Sequence, residues 1–312
     1  MPAINLTHLR RTLAARGLTP ASAIPEASGG RTDEACLRPA RLVEDSALTW
    51  HPVGRAEPWT GTLAFLDGVQ RSELLAYAGA APIVVGEVAA AVRERATRKL
   101  VTVLEERRLL VIGRPAALAA AGEFPEALRP VPLPVDDPPH PVRDLANAAR
   151  ALDRARGALE LDLGERYRSR SEGWLIVDGA LTESPLWSSD PRMVGISKSH
   201  ATLPFEGEDL DRYLRLPPGH RSSIYAPQTR SLTPVHEWAL RLWPWEGKDV
   251  FHGLVRVEVS PANGTPETAD RLSRFVLAER APLSAPDHRW DRLLYGIHSV
   301  EAYLRAGGRR LA

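Results

Sequence analysis

The segment RPVPLPVDDPPHPVRD, Arg129–Asp144, places six prolines among sixteen residues. Each proline removes a backbone donor and fixes its own φ, so neither a helix interior nor a central strand can run through this stretch. It reads as a connection over the surface, and it divides the 312-residue chain into a strand-patterned front part and a rear part that opens on a helix. In front of it, GTLAFLDGVQRSELLAYAGAAPIVVGEVAAAV, Gly61–Val92, consists of apolar runs broken at Asp67-Gly68 and at Gly79–Pro82. Such punctuation predicts an antiparallel meander, which Lys99–Pro115 continues. Met1–Gly17 has the spacing of a short amphipathic helix, and Thr19–Gly61 is a Pro- and Gly-rich arm.

Behind the prolines, Leu145, Ala149, Leu152, Ala155, Leu159, Leu163 and Tyr167 recur at steps of three and four, predicting a helix over about Val142–Arg168. Strands are predicted in GWLIVDGAL, Gly173–Leu181, and RMVGISKS, Arg192–Ser199. DVFHGLVRVEVS alternates, with Val255, Val257 and Val259 opposite Arg256 and Glu258. Two helical patterns close the chain. The fold class expected is α/β or α+β, in one domain with appendages.

The 40 basic and 39 acidic side chains leave a net charge of +1, so any polyanion has to be held by a local cluster rather than by a global field. Only Lys99, Lys198 and Lys248 are lysines; the other basic residues are arginines. The single cysteine, Cys36, excludes an intrachain disulfide and a multi-cysteine zinc site, and fits a reducing, cytoplasmic setting. No apolar run of about 18 residues predicts a membrane span. Walker, dinucleotide, G-x-S-x-G and H-E-x-x-H motifs are absent from the sequence.

Asp67 in AFLDG and Asp178 in LIVDG each end an apolar strand and precede a glycine. A carboxylate at a strand exit is rigidly held yet open to solvent, which suits a metal ligand or base. For one such pair alone, a simple Asp-Gly turn is the better reading. Glu160 lies at the edge of the long helix's apolar stripe; a surface pair with Arg156 is its ordinary role, and Asp162 and Glu165 are its rivals. His298 sits among Leu294 and Ile297, one turn from Glu301, where a boundary histidine is commoner than a ligand. Carboxylates with one histidine form a hard site for Mg²⁺ or Mn²⁺, and paired ions support in-line phosphoryl displacement. Lys198 and an inward Arg256 are candidates for substrate phosphate, against the bland readings of a surface lysine and an exposed ion pair. His200 is a substrate contact or simply exposed. Trp238, Trp243 and Trp245 either stack on unpaired bases or anchor the core, the second being the commoner role.

In order and spacing, FLDG, a helix glutamate, LIVDGAL, VGISKS, GLVRVEV and a histidine-bearing terminal helix resemble the NurA family of DNA-repair nucleases, from about Gly61 to Arg305. The resemblance implies an RNase H-like core, a mixed β-sheet flanked by helices, over residues 61–312, preceded by an N-terminal helical arm over 1–60. It implies a Mn²⁺-dependent deoxyribonuclease, with Mg²⁺ as the other ion, acting on single strands and duplex ends. Asp67, Glu160, Asp178 and His298 would be the catalytic and metal-binding set. A homodimer working with a hexameric HerA-type ATPase in end resection is implied as well; the alternative is a non-catalytic partner of such an ATPase. The chain departs from the family at Val69 after Asp67-Gly68 and at Gly296 after Tyr295, which leaves Tyr303 as a second candidate for the last position.

Overall fold

The computed structural model describes residues 36–96, 99–135, 137–228, 233–280 and 290–307. The helix expected at Met1–Gly17 lies outside them. In chain order the first strands are β1 (Cys36–Leu37), β2 (Arg41–Leu42), β3 (Trp50–Pro52), β4 (Leu63–Ala78), β5 (Ala81–Ala96) and β6 (Lys99–Gly113). Helix α1 (Pro115–Ala121), β7 (Leu128–Pro132), α2 (Pro141–Arg168), β8 (Trp174–Asp178), α3 (Pro185–Ser189), β9 (Met193–Ser197), β10 (Thr202–Leu203) and α4 (Gly207–Leu214) follow. The rest are β11 (His220–Ser222), β12 (Tyr225–Ala226), β13 (His236–Arg241), β14 (Leu254–Val259), α5 (Pro266–Glu279) and α6 (Tyr295–Gly307).

The chain divides into two compact units, one comprising Gly61–Asp178 and Gly296–Ala312, the other Met1–Thr60 and Gly179–Tyr295. We call them the meander unit and the insert unit.

The meander unit holds the strand order β8-β4-β5-β6-β7. Strands β4, β5 and β6 form the antiparallel meander, while β8 lies parallel to β4 and β7 parallel to β6. Along β5 and the first half of β4, side chains alternate between two covered faces. On one, even-numbered positions meet α2: Gly86 leaves room for Leu152, and Tyr167 donates to Glu94 at 3.0 Å. On the other, odd-numbered positions meet α6: Gly296 rests on the Phe65 ring, and Arg93 donates to the Ser299 carbonyl at 3.1 Å. The result is a helix, sheet, helix sandwich.

Helix α2 starts where the prolines end. Pro141 occupies its first turn, where no N–H is needed, and His140 caps it by accepting from the Arg143 amide at 3.3 Å. Its stripe of Ala148, Ala151, Leu152, Leu159, Leu163 and Tyr167 is buried, each large side chain contributing about 1.5–3 kcal/mol. Arg114 and Arg143 both hold the proline-rich connection, Arg143 through the Pro138 carbonyl and the Asp137 carboxylate. Arg114, at the end of β6, pairs with the buried Asp144 at 2.7 and 3.0 Å and donates to the carbonyls of Asp137 and Pro138. Part of this segment is a strand after all: β7 pairs with β6 at the end of the strand order, where prolines 130 and 132 displace no ladder donor of a central strand.

In the insert unit, β13 pairs with β14 and β14 with β9, all antiparallel; β11 and β12 flank β13 and carry β3 and β2. Helix α5 covers one face, where the Trp238 indole donates to Ser273 Oγ at 2.9 Å. The other face is capped by Phe205, Tyr213, Leu216 and Leu254, packed with Leu48 and Tyr225.

Candidate metal centre

The two Asp-Gly pairs meet in the meander unit. The parallel ladder of β4 and β8 ends at Leu66 opposite Val177, so Asp67 and Asp178 are the next residues on neighbouring strands, at the same level. Adjacent strands run about 4.8 Å apart, which brings two carboxylate-bearing positions side by side. Asp67 is 7% exposed, and its Oδ1 accepts from the Gly68 amide at 2.8 Å, which fixes its orientation.

Glu160 arrives from α2. The absence of a side chain at Gly68 makes its place: a Cβ there would stand 2.2 Å from Glu160 Oε1. Burial, with the charges of Asp178 and Asp153 adding to it, pushes the Glu160 carboxyl up to about 7 against the pull of Arg156. Arg156 pairs with Glu160 and, at 2.8 Å, with Asp153. The rival Asp162 is exposed and paired with Arg166 at 3.1 Å, and Glu165 is exposed.

His298 lies on α6 two residues after Gly296, which touches Phe65, itself two residues before Asp67 on the same face of β4. Its Nδ1 is buried without a hydrogen bond and stands 4.0 Å from Glu301 Oε2. Tyr303 is committed elsewhere, over β5 and β6: its hydroxyl donates to Glu105 at 2.6 Å and its ring lies under Arg93.

All four expected metal residues thus belong to one unit: Asp67 and Asp178 stand side by side at the end of the β4–β8 ladder, and Glu160 reaches that end at Gly68. The donors are hard oxygens, which suit Mg²⁺ or Mn²⁺. The fit rests on Glu160: it is a largely buried carboxylate near Asp178 whose cationic partner, Arg156, is shared with Asp153. Asp67, Asp178 and Glu160 would hold the ion. In the structure Glu160 is closed onto Arg156 instead.

Lys198 and Arg256 belong to the insert unit. Lys198 follows β9 directly and is half-buried. Arg256 is not the exposed ion-pair partner that alternation allowed but lies in a polar interior: it donates to Ser197 Oγ at 3.1 Å and to the Thr202 carbonyl, and faces Glu237, Tyr213, Tyr225 and Glu258. Glu258 stands opposite Glu237 across β13 and β14, and burial together with Glu237 holds its carboxyl well above the usual range. One Glu258 oxygen takes the Leu181 amide at 2.8 Å. His200 is inward too, stacked on Phe251 with ring centroids 4.7 Å apart. Trp238 and Trp245 are core anchors, and Trp243 lies under Arg280.

Among the described residues, one trio has ligand atoms all within 4.8 Å of one another: Glu44, Asp45 and His51. Nothing in the sequence marked it, because its partners lie far along the chain. Arg221 grips Glu44 at 2.7 and 2.9 Å and Ser223 donates to Asp45 at 2.6 Å, so protein groups already serve these carboxylates.

No protein-family model matches the sequence, and no curated protein matches it. The fold is shared with the NurA nuclease from Sulfolobus solfataricus, with a TM-score of 0.51 at 12% identity, over 82% of this chain and 81% of that one. Among the described residues no helix is long and apolar enough to cross a membrane.

Proposed function

We propose that this chain is a divalent-metal-dependent nuclease that hydrolyses phosphodiester bonds in DNA. The observation carrying the reading is the side-by-side placement of Asp67 and Asp178 at the ends of parallel strands, in a fold shared with a nuclease. A bound Mn²⁺ or Mg²⁺ supplies Lewis-acid stabilisation of the charge that develops on the phosphate and activates the attacking water. Asp67 and Asp178 would hold it, and Glu160 would complete the set on leaving Arg156, which would keep a partner in Asp153. His298 orients water or completes the ligand set from α6, using the Nδ1 that no hydrogen bond engages. Lys198, half-buried after β9, serves substrate phosphate, whereas Arg256 is already engaged by Ser197 Oγ and the Thr202 carbonyl and is assigned no phosphate. We further propose Mn²⁺ as the working ion, single strands and duplex ends as substrates, a homodimer, and a HerA-type ATPase as partner in end resection.

The test is cleavage of labelled single-stranded DNA with and without Mn²⁺ by wild type, Asp67→Asn and Asp178→Asn. Cation-dependent cleavage by wild type and loss of about 100-fold or more in each variant are expected, the scale on which removed transition-state charge stabilisation is felt. Equal cleavage by all three proteins would sink the assignment. A second reading, a non-catalytic partner subunit, is favoured by the closure of Glu160 onto Arg156. No cleavage by wild type in either metal, with DNA binding intact, would select it.

A further inference from the structure

Of the tryptophans that look like stacking platforms in the sequence, Trp238 and Trp245 are buried and Trp243 is half-buried, whereas Trp50, in the arm, is 40% exposed. An exposed indole on a floppy arm means little. This one is immobilised on every side. Its Nε1 donates to the Arg212 carbonyl at 2.9 Å. The residue before it, Thr49, donates its amide to Ser223 Oγ at 2.8 Å and accepts from the Ser223 amide at 3.0 Å, and the residue after it, His51, pairs with Asp45 at 2.8 Å. The same Asp45 takes Ser223 Oγ, so the Glu44, Asp45 and His51 trio together with Arg221 forms a rigid base under β3.

Trp50 borders a surface cavity of about 500 Å³, lined also by Leu48, Thr49 and Arg212. That volume lies within the range of small-ligand sites. The Arg212 guanidinium donates to the Leu48 carbonyl at 3.3 Å, which holds its plane at the rim and leaves further N–H donors for an anion. Neighbouring acids on α4 are engaged: Asp209 accepts from the Leu48 amide at 3.3 Å, and Asp211 pairs with Arg215 at 3.0 Å. The cavity thus offers a flat aromatic wall, an apolar floor and one planar cation.

We infer that Trp50 and Arg212 form a nucleotide-binding subsite of the insert unit, the indole stacking on an unpaired base and the guanidinium meeting its phosphate. Stacking on a fixed aromatic is sequence-tolerant, because every base has a π-face. The inference deepens the nuclease reading and rests on it for the class of ligand.

The test uses the full chain in EDTA, so that nothing is cleaved, and follows binding of fluorescein-labelled oligothymidylate by anisotropy. Trp50→Ala should weaken binding about tenfold, the scale of one lost base–aromatic stack. Trp50→Phe should fall between, since a smaller ring remains, and this separates lost stacking from misfolding. Arg212→Ala should weaken binding and make it less sensitive to salt. Wild-type affinity in Trp50→Ala overturns the inference, as does Trp50-dependent capture of a proline-rich peptide with no binding of oligothymidylate. Cleavage of the same strand by wild type with Mn²⁺ is scored separately. Cleavage with Trp50-independent binding defeats the subsite alone; Trp50-dependent binding without cleavage defeats the nuclease reading alone.

Discussion

Gly68 and Glu160 occupy each other's space: a Cβ on Gly68 would fall 2.2 Å from Glu160 Oε1. We predict that Gly68→Ala displaces the carboxylate, the free end of a flexible side chain, while leaving the strand intact. Melting temperature should change little, and metal-dependent cleavage should fall at least tenfold. A variant that cleaves like wild type would separate Glu160 from the reaction.

Gly296 and Phe65 make the opposite case. A Cβ on Gly296 would stand 2.2 Å from the Phe65 ring, which is fully buried and has no free volume to enter. Overpacking of this kind costs about 1–3 kcal/mol. Gly296→Ala should therefore lower urea-unfolding stability by that amount, and a second change, Phe65→Leu, should restore part of it.

The sequence carried the meander, the long helix and the two Asp-Gly exits, because each is written in local periodicity and turn chemistry. Residues 67 and 178 could be named for their setting, but not their shared level, which is a property of the β4–β8 register. Glu160 was distinguishable from Asp162 and Glu165 only as the one at the stripe's edge; what decides it is Gly68 on another strand. Alternation left Arg256 open between an exposed ion pair and an inward position, and pattern alone could not say that it would face Glu237 and two tyrosines. The division into units was hidden, since the meander unit is closed by residues separated by the whole of Gly179–Tyr295. Trp50 carried no signal, as its rigidity comes from Ser223 and Arg212.

Arg221 is 1% exposed and joins Glu44 to Asp270. Removing one partner of a buried ion pair leaves the other charge uncompensated, at a cost of about 3–5 kcal/mol. Arg221→Met should lower stability by about that much in chemical denaturation, and Glu44→Gln added to it should recover a measurable part. The single variant Glu44→Gln should leave the metal requirement of cleavage unchanged, which places the trio outside the catalytic centre.

Acid should loosen the insert unit through His200. Burial, with the charge of Arg256, lowers its folded pKa to about 3, and its Nδ1 is buried without a hydrogen bond. The unfolded side chain titrates near 6.5. Between these values the unfolded chain binds a proton that the folded one refuses, so the contribution is complete above about pH 6.5 and declines as pH falls toward 3. From pH 6.5 to 5 the loss is on the order of 2 kcal/mol, at about 1.4 kcal/mol per pH unit. His200→Gln should flatten this part of the urea-stability profile; an unchanged slope would place the acid sensitivity elsewhere.

The separation of Asp178 from Gly296 by an entire intervening unit also has a meaning in time. During synthesis β4, β5, β6, α2 and β8 leave the ribosome together, and the three carboxylate positions can assemble early. The face of the sheet that receives α6, however, stays uncovered until the insert unit has been made, and His298 arrives after it. A nascent chain therefore holds three of the four proposed ligands with one sheet face bare, and the proposed set is complete only once translation has passed the insert unit.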